Sequence, residues 1–369
     1  MERMDVARKL GAQSAWDDEE TGCVKVLLRG NAFNYNGIST LADGDGNRLT
    51  EMEFDYLGDS HCGLFRVHVP GRHYGFAGER GQMVIPPIYH RAWDFSEDRA
   101  WVERDGELRI TDRAGREIRP ELAPGGWTRN LRFSEGLSRV SIADAEGPHR
   151  LGPLAYYHDD GDDAGIWGYV DRHGKTVVPP QYIFAEDFRA GMAFVCRGQW
   201  TCDEKWQRGD GTTRWWSEEM LWGAIDHRGR EVIPCKFQDI KWRPWDDAES
   251  MYWDGTGLIA KKYLAAQGGN GKWGIIDFLG NWVVEPQFGD IGYETETSPD
   301  GDKFVFYQWG IWDEPLDSPC GVYSIGQGRV LIPADKYFDI EFLSDTQIRV
   351  FEDAYGKLSK TMDIPGQET

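Results

Sequence analysis

The chain has 369 residues, a formal net charge of −21 and an isoelectric point near 4.8. That field repels polyanions, so it disfavours DNA, RNA and anionic lipid as partners and favours cationic ones. Residues 1–10 hold no apolar core long enough for a signal peptide, and no later run could span a bilayer, which predicts a protein of the reducing cytosol.

In chain order, residues 1–34 read as an N-terminal segment in which Val24-Lys25-Val26-Leu27-Leu28 forms a capping strand. A repeat array is predicted over residues 35–351, with a tail at 352–369. The repeat is plainest in three copies. They are Trp-Gly-Tyr-Val-Asp-Arg-His-Gly-Lys-Thr-Val-Val-Pro from Trp167, Trp-Gly-Ala-Ile-Asp-His-Arg-Gly-Arg-Glu-Val-Ile-Pro from Trp222, and Trp-Gly-Ile-Ile-Asp-Phe-Leu-Gly-Asn-Trp-Val-Val-Glu-Pro from Trp273. Aligned on Asp-x-x-Gly, anchors fall at 43, 78, 112, 171, 226, 277 and 324, placing seven units near 35–67, 74–102, 108–142, 167–195, 222–260, 273–307 and 320–351. The shortest intervals, 35 and 34, set a unit of about 35 residues, a usual repeat length. Longer intervals then imply insertions, predicted at 198–221, 241–256 and 289–319.

Each unit reads as β. Apolar and aromatic residues alternate or run on over five positions such as Trp167-Gly168-Tyr169-Val170-Asp171 and are cut off at once by a turn signal, too short for a helix. Asp at the first turn position accepts from following backbone amides, and Gly at the fourth tolerates the left-handed backbone. A second strand is expected to stop at Pro86, Pro120, Pro179, Pro234 or Pro333, because proline cannot donate to the ladder. Eight residues past the glycine an aromatic recurs (Phe54, Tyr89, Tyr182, Phe237, Phe288, with Tyr337 one later), which reads as a core layer. A third strand follows a loop, as in residues 95–102, 133–140 and 188–195.

These residues resemble the WG-repeat (KWG-repeat) family, whose unit runs Trp-Gly-x-Ile-Asp-x-x-Gly-x-x-Val-Ile-Pro-x-x-Tyr and then Phe-x-Glu-Gly-Leu-Ala-x-Val. The resemblance implies a bacterial-type β-repeat protein with no established catalytic residues. The expected fold is all-β, about seven antiparallel three-stranded repeats, a propeller-like toroid in preference to an open curved ribbon. A ring hides long sheet edges, and the strand at residues 24–28 could complete the last sheet and lock it.

Chemistry is hard to find. The aspartates Asp112, Asp171, Asp226 and Asp277 recur at one structural position, as turn-formers do and active sites do not. Residues 43–47 begin like a calcium loop, but Arg48 stands where the sixth-position glycine belongs and Phe54 where the bidentate Glu belongs, so a hairpin turn is expected. An acidic loop at residues 156–163 could clamp a hard cation, but a solvated loop explains it equally well. Cys23, Cys62, Cys196, Cys202, Cys235 and Cys320 contain no Cys-x-x-Cys pair and read as buried free thiols. No Gly-x-Ser-x-Gly, phosphate loop or His-Glu-x-x-His appears, so neither catalytic residues nor a cofactor or metal is predicted.

The insertions carry the candidate partner-binding residues. Trp200, Trp206, Trp215 and Trp216 sit in one polar, glycine-rich segment, and Trp242, Trp245 and Trp253 in the next. Residues 281–319 hold nine acidic side chains against one basic, among them Glu294, Glu296, Asp300 and Asp302, interleaved with Trp309 and Trp312. Aromatic anchors in a charged surround are the composition of protein-recognition hot spots. The leading expectation is therefore a non-enzymatic binder of a basic protein, with toxin neutralisation as an immunity protein its particular form. Carbohydrate binding is the alternative, requiring Asp, Asn and Arg beside a tryptophan platform, and an enzyme whose site is assembled across repeats the second alternative.

Overall fold

The computed structural model describes residues 3–30, 37–122, 131–142, 165–207, 213–241, 262–292, 297–308, 318–353 and 357–365; of residues 200–207 and 213–218 it describes the backbone alone. The described residues are all-β apart from one short helix, α1 (Arg3–Lys9), and consecutive strands pair antiparallel in small sheets. The chain divides into two compact units, one of Met1–Phe188 with Trp200–Trp216, the other of Arg189–Gln199 with Ser217–Thr369.

The first unit opens with β1 (Ser14–Asp17), β2 (Val24–Arg29) and β3 (Ile38–Ala42) in one sheet. A second sheet holds β4 (Tyr56–His61), β5 (Leu64–His68), β6 (Tyr74–Gly78) and β7 (Met83–Tyr89). A third holds β8 (Arg91–Ala92), β9 (Arg99–Arg104), β10 (Glu107–Asp112) and β11 (Glu117–Ile118). A fourth holds β12 (Leu137–Ile142), β13 (Ile166–Asp171) and β14 (Thr176–Tyr182), and β15 (Phe184–Ala185) follows it. The long strands β16 (Met192–Gln207) and β17 (Thr213–Asp226) lead into the second unit, where β17 pairs with β18 (Glu231–Phe237). Then come a sheet of β19 (Asp239–Lys241), β20 (Leu264–Gln267), β21 (Trp273–Ile276) and β22 (Trp282–Phe288), and one of β23 (Asp290–Ile291), β24 (Lys303–Tyr307), β25 (Cys320–Ser324) and β26 (Arg329–Tyr337). The last sheet holds β27 (Asp339–Phe342), β28 (Gln347–Phe351) and β29 (Ser359–Asp363).

The sheets are out of phase with the sequence repeat. The unit beginning at Trp222 supplies β17 and β18 to one sheet and β19 to the next, where β20, just past the unit's expected end at 260, and β21 and β22 of the following unit complete it. Among the described residues three sheets keep the expected three strands, and four others open with a short strand, β8, β15, β19 or β23, just after the recurring aromatic. Within a compact unit a sequence unit staples two consecutive sheets, as residues 74–102 do with β6 and β7 in one and β8 and β9 in the next, and a core lies between them. Phe237, Ile240, Leu264, Ala266 and Ile276 form one such layer, and Phe76, Tyr89, Phe95 and Val102 another. The six recurring aromatics are all buried, as expected, and Trp167, Trp222 and Trp273 stand directly across from Tyr182, Phe237 and Phe288.

Both ends of the array depart from expectation. β2 is a strand beside β3, as expected of a third-type strand, but its partners are β1 and β3, and it does not complete the last sheet. Residues expected in a C-terminal tail form β29, which pairs with β28 from Gln347↔Asp363 to Phe351↔Ser359.

The turns follow their chemistry. The Oδ1 atoms of Asp43, Asp112, Asp171, Asp226 and Asp277 each accept the amides two and four residues on, at 2.8–3.0 Å. The glycines that close them, Gly46, Gly115, Gly174, Gly229 and Gly280, lie at φ of 75 to 77°. At residues 78–81 a glycine replaces the aspartate, and the Gln82 side chain takes over by accepting the Arg80 amide at 3.1 Å. The residues between β8 and β9, before β12 and before β16 close as tight hairpins with two successive positive φ angles, at Glu97-Asp98, Glu135-Gly136 and Ala190-Gly191.

Proline does not end the second strand. β7, β14, β18, β22 and β26 run through Pro86, Pro179, Pro234, Pro286 and Pro333 and continue to the aromatic. They do so over a bulge: Trp167 pairs with Tyr182 and Tyr169 with Val178, so two residues of β13 face four of β14. The bulge pushes backbone into the space opposite, where a Cβ on Gly75, Gly168 or Gly223 would come within 2.7, 2.5 and 2.5 Å of the carbonyl oxygens of Ile85, Val178 and Ile233. This is the physical need behind the Gly of Trp-Gly. Where Arg109 replaces it, β11 does stop before Pro120, at Ile118. These outer strands are sheet edges, and a mid-strand proline on a bulge guards them against pairing with another chain.

Candidate functional site

Only two of the candidate partner-binding side chains are described, and both have intramolecular tasks. Asp300 Oδ1 accepts the Ser298 hydroxyl at 2.5 Å and the Asp302 amide at 3.0 Å, and its Oδ2 lies 3.3 Å from the buried Lys303 ammonium. Asp302 accepts the Ser324 hydroxyl at 2.8 Å and the Gly326 amide at 2.6 Å. The pair therefore locks the turn into β24 to the end of β25. Trp200 and Trp206 lie on β16, and Trp215 and Trp216 on β17, so the described residues of the insertion at 198–221 form a two-stranded ribbon. Trp242, Trp245, Trp253, Glu294, Glu296, Trp309 and Trp312, like the acidic loop at 156–163, lie outside the described residues.

Residues 43–47 form the expected turn, and a cation already sits on it. The Lys9 ammonium donates to Asp45 O at 2.8 Å and to Asn47 Oδ1 at 3.0 Å. Other cations, buried or half-buried, clamp neighbouring sheets. Arg139 donates to Ala185 O at 2.6 Å, meets Asp187 at 3.3 Å and lies 5.2 Å over the Trp167 ring. Arg66 repeats the arrangement with Ala92 O at 2.6 Å, Asp94 at 3.0 Å and the Tyr56 ring at 4.9 Å. In the second unit Lys241 reaches Asp290 at 2.7 Å and lies 4.8 Å over the Trp273 ring. The repeat tryptophans Trp167 and Trp273 are thereby core, at 1% and 7% exposure, while Trp222 is half-buried.

The described cavity is a groove of about 350 Å³ in the second unit, lined by Lys236, Phe237, Gly268, Gly269, Asn270, Trp282, Glu285 and Pro286. Its floor is aromatic: Trp282 meets Phe237 edge-to-face at 5.2 Å. One wall is the turn from β20 to β21, held by Gly268 N to Lys272 O and by Lys272 N to Asn270 Oδ1, with Asn270 also donating to Pro286 O at 3.3 Å. Lys236 lies 5.1 Å over the Phe237 ring, and Lys236, Asn270 and Glu285 are exposed.

None of the polar groove residues was singled out from the sequence, yet a signal existed. Trp282 stands where the other clear copies have Thr176 and Glu231, and Glu285 where they have Pro179 and Pro234. Departure from the repeat at scaffold positions marks what the scaffold does not itself require.

Small antiparallel sheets built on a turn-anchored repeat define a β-repeat protein. Residues 74–107, 167–199, 222–247 and 273–296 match the WG containing repeat, so the chain carries WG repeats at four places. No curated protein sequence matches it. Among solved structures it is similar to BamB from Moraxella catarrhalis (8% identity, 92% of this chain and 93% of that chain, TM-score 0.31). It is also similar to oligogalacturonate lyase from Vibrio parahaemolyticus (11% identity, 94% of each chain, TM-score 0.29) and Kluyveromyces lactis Hsv2 (11% identity, 81% of this chain and 89% of that chain, TM-score 0.27). Among the described residues no helix is long and apolar enough to cross a membrane.

Proposed function

We propose that this is a non-enzymatic recognition protein that docks a basic protein partner on the β16–β17 ribbon, acting in the cytoplasm. The ribbon carries the reading. β17 begins at Thr213, whereas its first partner on β18 is Phe237, opposite Trp222. At about 3.3 Å per residue the strand runs about 30 Å past that register. Four tryptophans lie on the ribbon, and a two-stranded hairpin gains little stability alone, so a docked partner would supply the burial it lacks.

Charge sets the sign of the partner. The chain carries −21, and hydrogen bonds hold turn carboxylates ionised, with Asp226 brought down to about 2 by the Arg230 side chain and by backbone amides. Capture of a basic toxin by an immunity protein is the particular form of this reading, since steering speeds such encounters. Described cysteines that are all free thiols are consistent with a reducing compartment. A propeller-like arrangement of the sheets belongs to the same proposal, and small-angle scattering would test it. The decisive experiment is affinity capture from the native host with mass spectrometry. A basic protein lost on Trp215→Ala/Trp216→Ala supports the reading, and an acidic one, or one indifferent to that change, overturns it.

A further inference from the structure

We infer that the groove of the second unit is a binding site for a neutral, gluco-configured saccharide, separate from the ribbon and independent of the partner reading. Four observations converge on it. Of the aromatic floor Phe237 is buried, but Trp282 is half-buried, meeting Phe237 edge-to-face and still lining the open groove. A sugar ring with equatorial hydroxyls presents a flat C–H face that such an indole can cover.

The rim supplies the polar complement. Glu285 offers a carboxylate with no side-chain partner among the described residues, Lys236 an ammonium whose described contact is the Phe237 ring, and Asn270 an amide fixed by Pro286 O and Lys272 N. Carboxylate and amide pairs take vicinal hydroxyls by accepting from one and donating to the other. The volume, about 350 Å³, lies at the small end of ligand sites, suited to one or two sugar rings. Finally, Trp282 and Glu285 replace the threonine or glutamate and the proline of the sister repeats, so the repeat fold does not demand them. The overall charge of −21 disfavours anionic sugars, which leaves neutral ones such as glucose or N-acetylglucosamine oligomers.

The test uses the full-length protein titrated with cellotriose and with chitotriose, followed by calorimetry and by protein-observed NMR. Saturable binding of one of them, weakened at least about tenfold by Glu285→Ala, is expected, because a hydroxyl–carboxylate hydrogen bond is worth about one decade. Trp282→Phe should weaken it as well, and Glu341→Ala, on β27, should not. Because Trp282 touches the core, near-ultraviolet circular dichroism of each variant separates lost binding from lost fold, and the exposed Glu285 site alone decides the matter if Trp282→Phe unfolds. Absence of binding by both sugars at 10 mM (about a hundred-fold above a 0.1 mM site), affinity unchanged in Glu285→Ala, or saturation of the groove by an arginine-rich peptide instead would each overturn the assignment.

Discussion

Gly223 lies beneath the Ile233 carbonyl: a Cβ on it would come 2.5 Å from that oxygen and 2.7 Å from the Cys235 amide nitrogen. The second residue of the Trp-Gly signature is therefore fixed by the proline bulge of the next strand rather than by any ligand. Gly223→Ala should destabilise the second unit by about 2–4 kcal/mol, an overpacking cost against backbone that cannot rotate away. Urea denaturation measures it; a midpoint unchanged from wild type would refute the bulge argument.

The turn glycines should be costly for two reasons at once. Gly280 lies at φ 77°, and a Cβ there would come 2.8 Å from Pro234 Cδ on the preceding repeat. Gly280→Val combines left-handed strain with a clash, about 2–5 kcal/mol together. Gly301, at φ 70° with nothing within 4 Å, should show the strain alone when changed to Ala.

Trp167 is 1% exposed, across from Tyr182, with the Arg139 guanidinium over its ring. Trp167→Ala should cost about 3–5 kcal/mol. Retention of the wild-type melting temperature with loss of a ligand would instead make this tryptophan a binding face.

Acid should weaken the turns together. The Asp226 carboxyl is lowered from 3.8 to about 2 by Arg230. Asn47 lowers Asp43 and Asn281 lowers Asp277 in the same direction. A depressed folded-state pKa stabilises fully above the unfolded value and is lost as pH falls through the folded one. Melting temperatures should therefore hold down to about pH 4 and drop towards pH 2, with a shallower drop in Asp226→Asn.

Burial raises the thiols of Cys196 and Cys235, to about 12 and about 11. Both should resist iodoacetamide in the native protein and react after denaturation, read by peptide mass mapping. Labelling of Cys196 under native conditions would mean that β16 opens far more readily than its packing suggests.

A basic partner should associate with a salt-sensitive on-rate, since the Debye length falls from about 10 Å at 0.1 M to about 3 Å at 1 M. Trp215→Ala/Trp216→Ala should instead raise the off-rate, measured by surface plasmon resonance.

Local chemistry was legible in the amino-acid order. Asp at the first and Gly at the fourth turn position dictated hydrogen bonds and φ values that hold in turn after turn, and the spacing of Tyr182, Phe237 and Phe288 announced the core layer, because both depend on a few neighbouring residues. Proline was misread, because whether a strand ends or bulges depends on the residue across the ladder: Gly168 lets β14 pass Pro179, and Arg109 does not let β11 reach Pro120. Only the tertiary structure could set the phase of the sheets, since β19 follows β18 in the unit that begins at Trp222 yet shares its sheet, through β20, with β21 and β22 of the next unit. It alone also drew Lys236, Asn270, Trp282 and Glu285 to one groove, across 49 positions of sequence from 236 to 285. Turns are decided by hydrogen bonds within five residues, whereas a groove is decided by which distant strands share a core, and no local pattern encodes that distance.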